Sequence, residues 1–450
     1  MMLRSPAASK NIQSVLKRFS SSQVAKQDSN DGQISKTKVK NGITVVTTDI
    51  PSLHANVMLL AKAGSRYENP SSNLGISHCL RAGALLSSDK DTAWHYTQLL
   101  GNFGGDFSVS GTREHVSYNL KCGRRVWRDL ITEVVAPSVC RNSFFWWELD
   151  QISKSMKTQL AHANTDPAFN LIEAVHQASF RGGLGNSVIS PEGMIGSHTT
   201  EMAQEFFNSN YNLANMVLAG NGVNHDELCD VAETAFELPS RGSTGKPSEF
   251  ISSEVRLHER GDAAHVGLSF CGSALNDQDA IAIAVVQNIL DSSSNVKRQS
   301  GRTDRIGSAV GKKVDGVFAT SAYNVNYSDA GLIGVYIKSD PASIGHAVSA
   351  VREELGAMAE GGISDKEVAA GKNSLKSGIL MQAECSESVL SDVAVQTSLL
   401  GGAVSPQEIS AKIDAVTTSQ VARVAKKVFG GKKSLAAVGD ITNCPYLADL

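Results

Sequence analysis

The stretch that decides how this sequence is interpreted is Leu74-Gly75-Ile76-Ser77-His78-Cys79-Leu80-Arg81-Ala82-Gly83-Ala84-Leu85-Leu86. Its composition predicts a mostly apolar helix that carries one histidine. On a helix, a second histidine four residues after His78 could bind the same zinc ion, and a glutamate three residues after it could deprotonate a metal-bound water. In this chain the histidine position holds Ala82 and the glutamate position holds Arg81.

These two residues argue against a zinc site. Ala82 has no lone pair to donate to a metal. Arg81 cannot act as a base, and its fixed positive charge would repel a nearby dication by several kcal/mol in a poorly screened site. Judged from the residues alone, His78 is therefore a packed and hydrogen-bonded core residue. No catalytic, cofactor-binding or metal-ligating set is predicted.

Composition limits the remaining possibilities. The chain has 450 residues, of which 41% are hydrophobic, so we expect two to four globular units. A net charge of −3 gives no basic excess for nucleic acid. The seven cysteines are scattered without a C-x-x-C pair, which is typical of reduced thiols. No uninterrupted apolar run is long enough to cross a bilayer, so no membrane-spanning helix is predicted.

The N-terminus differs from the rest of the chain. Residues 1–27 contain five basic residues, many serines and no acid, and their apolar residues fall at roughly helical spacing. This pattern predicts a mitochondrial targeting peptide over residues 1–20, cleaved near Ser20 or Ser21. A disordered basic tail is the alternative.

The remainder is organised as two similar halves, residues 33–239 and 254–450, joined by a polar, glycine-rich linker at 240–253. Asn41-Gly42 suits a type I′ hairpin turn. Each half is predicted to alternate strands and helices as an α+β unit. The clearest predicted elements are strands at 55–63, 106–110, 116–120, 264–270, 317–326 and 331–337 and helices at 93–100 and 279–290.

An internal repeat supports a duplication. Thr199-Thr200 begins a predicted helix, which is followed by a small-residue strand ending at Gly220. Thr417-Thr418 begins the same sequence of elements, ending at Gly439. The offset between the two halves at the threonines differs from the offset at the glycines by a single position, so one gap aligns the two segments.

Other candidate motifs are weak. The glycines at 101–105 lack the lysine and hydroxyl residue of a phosphate-binding loop, and no G-x-S-x-G nucleophile elbow is present. His225-Asp226-Glu227 looks like a polar helix start. The aromatic cluster Phe144-Phe145-Trp146-Trp147 is either a contact surface or part of the first half's core.

Several segments, in order and at consistent spacing, resemble the pitrilysin-type (M16) metallopeptidase family, which includes the mitochondrial processing peptidase subunits and the core proteins of the cytochrome bc1 complex. The resemblance covers nearly all of the mature chain. It implies two homologous LuxS/metallohydrolase-like halves forming a bowl. The matching segments are Ala63–Glu68, Gly75–His78, Gly104–His115, Ala178–Arg181, Leu184–Ser187 and Tyr327–Leu332.

Within the family, the chain resembles the catalytically degenerate core subunits most. Ser77–Arg81, Asn295–Arg298, Ala369–Gly378 and Pro445–Leu450 carry this likeness. The distal acidic zinc ligand of active members would fall near Ser155, and no acid lies between Asp150 and Asp166. Residues 292–302 are polar and basic, unlike the glycine-rich loop of processing peptidase α-subunits.

The resemblance implies a non-catalytic subunit of mitochondrial ubiquinol–cytochrome c reductase (complex III), peripheral on the matrix side of the inner membrane. Such a subunit scaffolds a dimeric complex and binds no cofactor itself. Its expected partners are core protein 1, cytochrome b, cytochrome c1, the Rieske iron–sulfur protein and small complex III subunits. The alternative is an α-type subunit of the processing peptidase, which presents presequences to a zinc-bearing partner.

Overall fold

A computed structural model describes residues 34–50, 52–239, 245–259, 261–290 and 305–450. The predicted targeting peptide at 1–20, part of the predicted linker and the segment Asn295–Arg298 lie outside the described residues.

The strands of the described chain form two mixed sheets. The first has the order β1-β2-β6-β3-β5-β4 and the second has the order β7-β11-β8-β10-β9. The strands are β1 Ile34–Lys38, β2 Thr44–Thr48, β3 His54–Ala61, β4 Asp106–Gly111, β5 Val116–Gly123, β6 Met216–Asn221, β7 Glu254–His258, β8 Ala264–Cys271, β9 Phe318–Asn326, β10 Gly331–Ser339 and β11 Lys433–Gly439.

Helices cover the sheets and connect their strands. A π-helical segment, Ile131–Val135, joins α3 to α4. The helices are α1 Ile76–Ala82, α2 Ala93–Phe103, α3 Trp127–Leu130, α4 Ala136–Cys140, α5 Trp146–Asn164, α6 Pro167–Ser179, α7 Thr200–Asn210, α8 His225–Ala235, α9 Ala280–Leu290, α10 Arg305–Gly311, α11 Ile344–Ala359, α12 Asp365–Ala383, α13 Ser386–Leu400, α14 Pro406–Ala415 and α15 Thr418–Phe429.

The second sheet repeats the first. Strands β2, β6, β3, β5 and β4 correspond in order to β7, β11, β8, β10 and β9, and among the described strands only β1 has no counterpart. Helix α5 recurs as α12 with the same length, and the displacement along the chain from α5 to α12 equals the displacement from the start of α6 to the start of α13. The predicted α+β fold built from two homologous halves is confirmed.

Most predicted elements are found within a few residues of their expected ends. Thr199 and Thr417 cap α7 and α15, since their side chains accept from the N–H groups of Met202 and Gln420. The predicted type I′ turn is wrong. Lys40 and Asn41 form the centre of a β-turn closed by a hydrogen bond from Gly42 N–H to the Val39 carbonyl, and Gly42 alone has positive φ. A three-residue loop of this kind needs its left-handed residue after the turn.

One face of each sheet is covered by a helix from the other half. Leu171 and Val175 of α6 pack with Ala436 and Val438 of β11, while Leu390 of α13 packs in a cluster with strand residues of the first sheet. Strand β3 is therefore buried on both faces from Ala55 to Ala61, which explains its nearly continuous apolar sequence. The two halves share their cores through these exchanged helices.

Among the described residues, none of the helices combines the length and the apolar character needed to cross a lipid bilayer.

Candidate functional site

The motif helix α1 begins at a buried carboxylate. Gly75 has a φ of 82° and supplies no side-chain cap. Instead, Glu68 accepts hydrogen bonds from the N–H groups of Gly75 at 2.7 Å and Ser77 at 2.9 Å and from the Ser77 hydroxyl at 2.5 Å. A carboxylate at this position satisfies the free N–H groups of the first turn. Burial nevertheless raises the pKa of Glu68 to about 7.

Both ring nitrogens of His78 are occupied by protein partners. The Ser190 N–H donates to Nδ1 at 3.1 Å, so the neutral ring carries its proton on Nε2 and donates to Gln159 Oε1 at 2.8 Å. His78 is fully buried, and this burial lowers its pKa to about 4. The imidazole is therefore neutral and both of its nitrogens are hydrogen-bonded, so it links α1 to α5 and to the loop at Ser190.

The other two motif positions contribute no metal ligand. The Arg81 guanidinium donates to the carbonyl oxygens of Val188 at 3.2 Å and Gly111 at 3.4 Å, so it ties α1 to the end of β4 and to the loop before Ser190. Burial lowers the pKa of Arg81, and an arginine stays charged near neutral pH. Ala82 packs against the core of the first half.

A residue that sequence reasoning missed completes this site. The expected position of the absent acid was Ser155, but the α5 side chain that reaches His78 belongs to Gln159, one helical turn later. Ser155 is exposed and accepts from Gln159 Nε2 at 3.4 Å. The i, i+4 spacing of the two residues on α5 is the signal that could have indicated Gln159.

The chemistry of these side chains does not fit zinc. Tetrahedral zinc sites take imidazole nitrogens, thiolates or carboxylates. Of the three motif positions and Gln159, only His78 offers such a group, since the other two positions hold Arg81 and Ala82. Throughout the described ranges, no group of three or more His, Cys, Asp or Glu side chains is placed to hold a metal ion.

The segments that carried the family resemblance meet at the junction between the halves. Arg66 is buried and contacts Glu114 at 2.6 Å and Ser328 at 3.0 Å, and its two terminal nitrogens hold Asp329. Glu114 also accepts from the Ser328 N–H at 3.1 Å and from the Ser328 hydroxyl at 2.5 Å. Arg66 and Glu114 of the first half thus bind the family-resemblance segment Tyr327–Leu332 of the second half.

Two buried histidines belong to the same junction. His176 Nδ1 donates to the Ile172 carbonyl, so its Nε2 accepts from the Tyr327 hydroxyl at 2.7 Å. His115 Nε2 lies 3.0 Å from the Ser398 hydroxyl on α13. Burial lowers the pKa values of both His115 and His176 to about 3. Both rings are therefore neutral contacts between the halves.

The aromatic cluster divides between the two predicted roles. Phe144 is buried and packs edge-on against Phe207 at 5.8 Å. The Trp146 side chain is 70% exposed and that of Trp147 is 51% exposed, with Trp147 stacked on Phe145 at 4.5 Å. The first residue of the cluster therefore serves the core, and the two tryptophans are available for contacts.

Comparison with known proteins shows which family models the chain matches. Residues 44–192 match the family described as Insulinase (Peptidase family M16), and residues 197–375 match the Peptidase M16 inactive domain. The chain is 32% identical to human cytochrome b-c1 complex subunit 2 over 415 residues, which cover 92% of this chain and 91% of that protein. The mouse subunit is 31% identical over the same coverage.

More distant relatives include subunits of mitochondrial-processing peptidases. A probable mitochondrial-processing peptidase subunit alpha-2 of Arabidopsis thaliana is 27% identical over 92% of this chain and 84% of its own length. A chain of the complex III2 structure from Candida albicans superposes with a TM-score of 0.81 at 20% identity, covering 92% of this chain and 98% of that one. At that identity, the structural likeness supports the fold.

Proposed function

The chain belongs to the M16 peptidase family, and from that premise we propose that it is a non-catalytic core subunit of mitochondrial ubiquinol–cytochrome c reductase, equivalent to core protein 2. Its similarity to cytochrome b-c1 complex subunit 2 along 92% of the chain supports this assignment.

One observation carries the non-catalytic part of the proposal. Both nitrogens of His78 are committed to Ser190 and Gln159, so the single histidine left in the motif has no lone pair facing an open metal position. A zinc peptidase needs three protein ligands and an open position for water. In this chain the same residues connect α1, α5 and the Ser190 loop, which is a structural task.

The proposed location and partners follow from this assignment. The protein lies on the matrix side of the inner membrane and pairs with core protein 1. It supports cytochrome b, cytochrome c1 and the Rieske iron–sulfur protein within a dimeric complex that also holds small subunits. The redox centres belong to those partners, and this chain supplies a rigid protein surface for assembly.

The proposed organisation has four parts. Residues 1–20 are removed as a targeting peptide, and residues 33–239 and 254–450 form the two M16-like halves, with 240–253 as the linker. N-terminal sequencing of the mitochondrial protein tests the first of these limits, since a mature chain that begins before Lys17 would contradict it.

Fractionation tests the main proposal. Inner mitochondrial membranes are solubilised in a mild detergent and separated by size, and the chain is followed by mass spectrometry beside the haem absorbance of the b and c1 cytochromes. We expect this chain in the haem-containing fraction at a constant ratio to cytochrome c1. Its absence from that fraction would overturn the assignment.

The second candidate is an α-type subunit of the processing peptidase, and the 27% identity to a plant subunit of that name favours keeping it. A presequence peptide is incubated with a zinc-bearing β-type partner, with and without this chain. Under the core-subunit assignment, cleavage is the same in both reactions. A cleavage rate that depends on this chain would support the second candidate.

A further inference from the structure

The second sheet has a free edge at β7, whereas the equivalent edge of the first sheet is paired with β1. In the first half, β1 pairs antiparallel with β2 along its whole length and forms the sheet edge. Strand β7 occupies the position of β2 in the second sheet, and it pairs with β11 alone among the described strands. The place that β1 fills in the first half is therefore filled by none of the described strands in the second half.

The backbone groups on the open side of β7 can be identified from its pairing. The Leu435 N–H donates to the Ser253 carbonyl and the Glu259 N–H donates to the Gly439 carbonyl, so odd-numbered residues of this segment face β11. In a parallel pair the residues between them point their N–H and C=O groups away from the partner strand. Glu254, Arg256 and His258 therefore present their backbone groups outward, and none of these groups bonds to another described backbone group.

A groove follows the same strand. It has a volume of about 820 Å³ and lies between one face of β7 and the neighbouring parts of the first half. Its floor consists of alternate residues of the strand, including Val255 and Leu257, and its wall includes Phe169 and Gln177 of α6. Leu257 is 40% exposed in this groove. An added strand would point every second side chain into this space.

The two ends of the groove carry opposite charges. Arg181 lies beside the start of the strand, because the preceding residue Phe180 bridges to Phe250. Glu259 lies at the other end. Within the described chain neither side chain forms an ion pair, and both are exposed. Natural proteins commonly block a free edge with proline or a bulge, and residues 254–258 contain neither.

We propose that the free edge of β7 binds an extended segment of a partner protein as a sixth strand, antiparallel to β7. The bound segment has apolar residues at alternate positions, which enter the groove over Val255 and Leu257. It carries a basic residue beside Glu259 and an acidic residue beside Arg181. The antiparallel direction repeats the β1–β2 arrangement of the first sheet, and the backbone hydrogen bonds follow the general mode of strand addition.

The probe for this interaction is a nine-residue peptide, Lys-Thr-Val-Thr-Val-Thr-Val-Thr-Asp, with a fluorescent label. Opposite residues of antiparallel strands share a face. In the proposed register the lysine therefore lies across from Glu259, the valines follow the groove and the aspartate meets Arg181. The matched control is the reversed peptide, Asp-Thr-Val-Thr-Val-Thr-Val-Thr-Lys, which has the same composition and places each charge beside a like charge. Binding to the full-length chain is measured by fluorescence anisotropy at low salt.

We expect the first peptide to bind more tightly than the reversed peptide and to protect the amides of Glu254, Arg256 and His258 from hydrogen exchange. His258→Pro removes one outward N–H without touching the β7–β11 bonds, and it should weaken binding about tenfold. His258→Ala keeps that N–H and should bind like the unchanged chain. Leu257→Lys places a charge in the groove and should also weaken binding.

Three results would overturn the inference: no binding of the first peptide, equal binding of both peptides at low salt, or no protection of the three outward amides. The exchange measurement uses the unchanged chain, so it stays decisive if a variant fails to fold. The inference does not depend on the proposed core-subunit function, because either type of M16 subunit could present this edge.

Discussion

The side-chain amide oxygen of Gln159 lies 2.8 Å from Nε2 of His78, where a carboxylate of the same length would lie beside any metal bound by that histidine. Glutamine and glutamate have the same shape, but only the carboxylate is a good zinc ligand. The position of the Gln159 side chain beside His78 therefore indicates where the third zinc ligand of an active site would lie.

We predict that zinc binding can be restored only in steps. The variant Arg81→Glu/Ala82→His should still bind zinc weakly, because the third ligand is missing. Adding Gln159→Glu should tighten binding at least a hundredfold, measured by competition with a chromophoric chelator. Some weakness should persist, because zinc on Nε2 would move the ring proton to Nδ1, where it would face the Ser190 N–H.

The matched control for this series is Ser155→Glu in the same Arg81→Glu/Ala82→His background. It adds the same carboxylate one helical turn away from His78, at the position expected from the sequence. Zinc binding as tight with Ser155→Glu as with Gln159→Glu would show that the third ligand position has been misassigned.

Much of the site could be predicted from the sequence, and the part that could not depends on distance in space. Arg81 and Ala82 exclude a zinc site by their chemistry alone, whatever surrounds them. Gln159 could not be identified, because the register of α5 against α1 decides which of its residues reaches His78. The hydrogen bond from the Ser190 N–H to Nδ1 of His78 could not be predicted either, since a backbone N–H is present whatever the residue type.

A second prediction concerns the buried ion cluster at the junction. Arg66→Met removes the cation that neutralises Glu114, and both side chains of that pair are only 5% exposed. We expect the free energy of unfolding to fall by about 3–5 kcal/mol in urea titrations, because an uncompensated buried charge remains. Adding Glu114→Gln should recover part of this loss.

The control for the ion cluster is an ion pair at the surface. Lys313 and Glu353 lie 2.5 Å apart with side chains that are 41% and 65% exposed. Lys313→Met should cost less than about 1 kcal/mol. Equal losses from Lys313→Met and Arg66→Met would contradict the importance assigned to the junction.

Stability should fall as the pH drops below about 6.5. Burial lowers the pKa of His78 to about 4 and those of His115 and His176 to about 3, whereas an unfolded histidine titrates near 6.5. Their contribution is fully present above pH 6.5 and is lost as the pH falls towards the folded values. Glu68 acts in the opposite direction, because its raised pKa of about 7 makes the folded state bind a proton more tightly.

For these four groups the difference between the unfolded and folded states is about two protons near pH 5.5, so their contribution to the free energy of unfolding should decrease by about 2.5 kcal/mol for each unit of pH lost there. Urea titrations at several pH values measure this slope. His176→Asn should make it shallower, and Glu68→Gln should make it steeper. A slope unchanged by both substitutions would contradict this assignment of protons.

The exchange of helices between the halves could not be predicted from the sequence. The repeat at Thr199 and Thr417 indicated the duplication, and apolar runs indicated both sheets. The sequence of α6 shows an apolar face but does not show which sheet that face covers. The nearly continuous apolar sequence of β3 was the available signal, since a strand buried on both faces requires a cover on each side.

We therefore predict that neither half folds alone. A fragment of residues 34–239 lacks α13 and exposes Met58, Leu60 and Val217 on its first sheet. It should bind a hydrophobic dye and show no cooperative thermal transition, whereas the same fragment co-expressed with residues 245–450 should recover both sheets. A sharp transition for the isolated fragment would contradict the shared core.

The aromatic cluster offers a test in which neighbouring residues should behave differently. Phe144→Ala should lower the free energy of unfolding by about 3 kcal/mol, since Phe144 is buried against Phe207. Trp146→Ser should change the stability of the isolated chain by less than about 0.5 kcal/mol, because Trp146 is 70% exposed. If Trp146 contacts a partner, its substitution should instead reduce the amount of this chain recovered with the haem-containing fraction. Unchanged recovery together with unchanged stability would remove Trp146 from the contact surface, and the free edge of β7 would then be the stronger candidate.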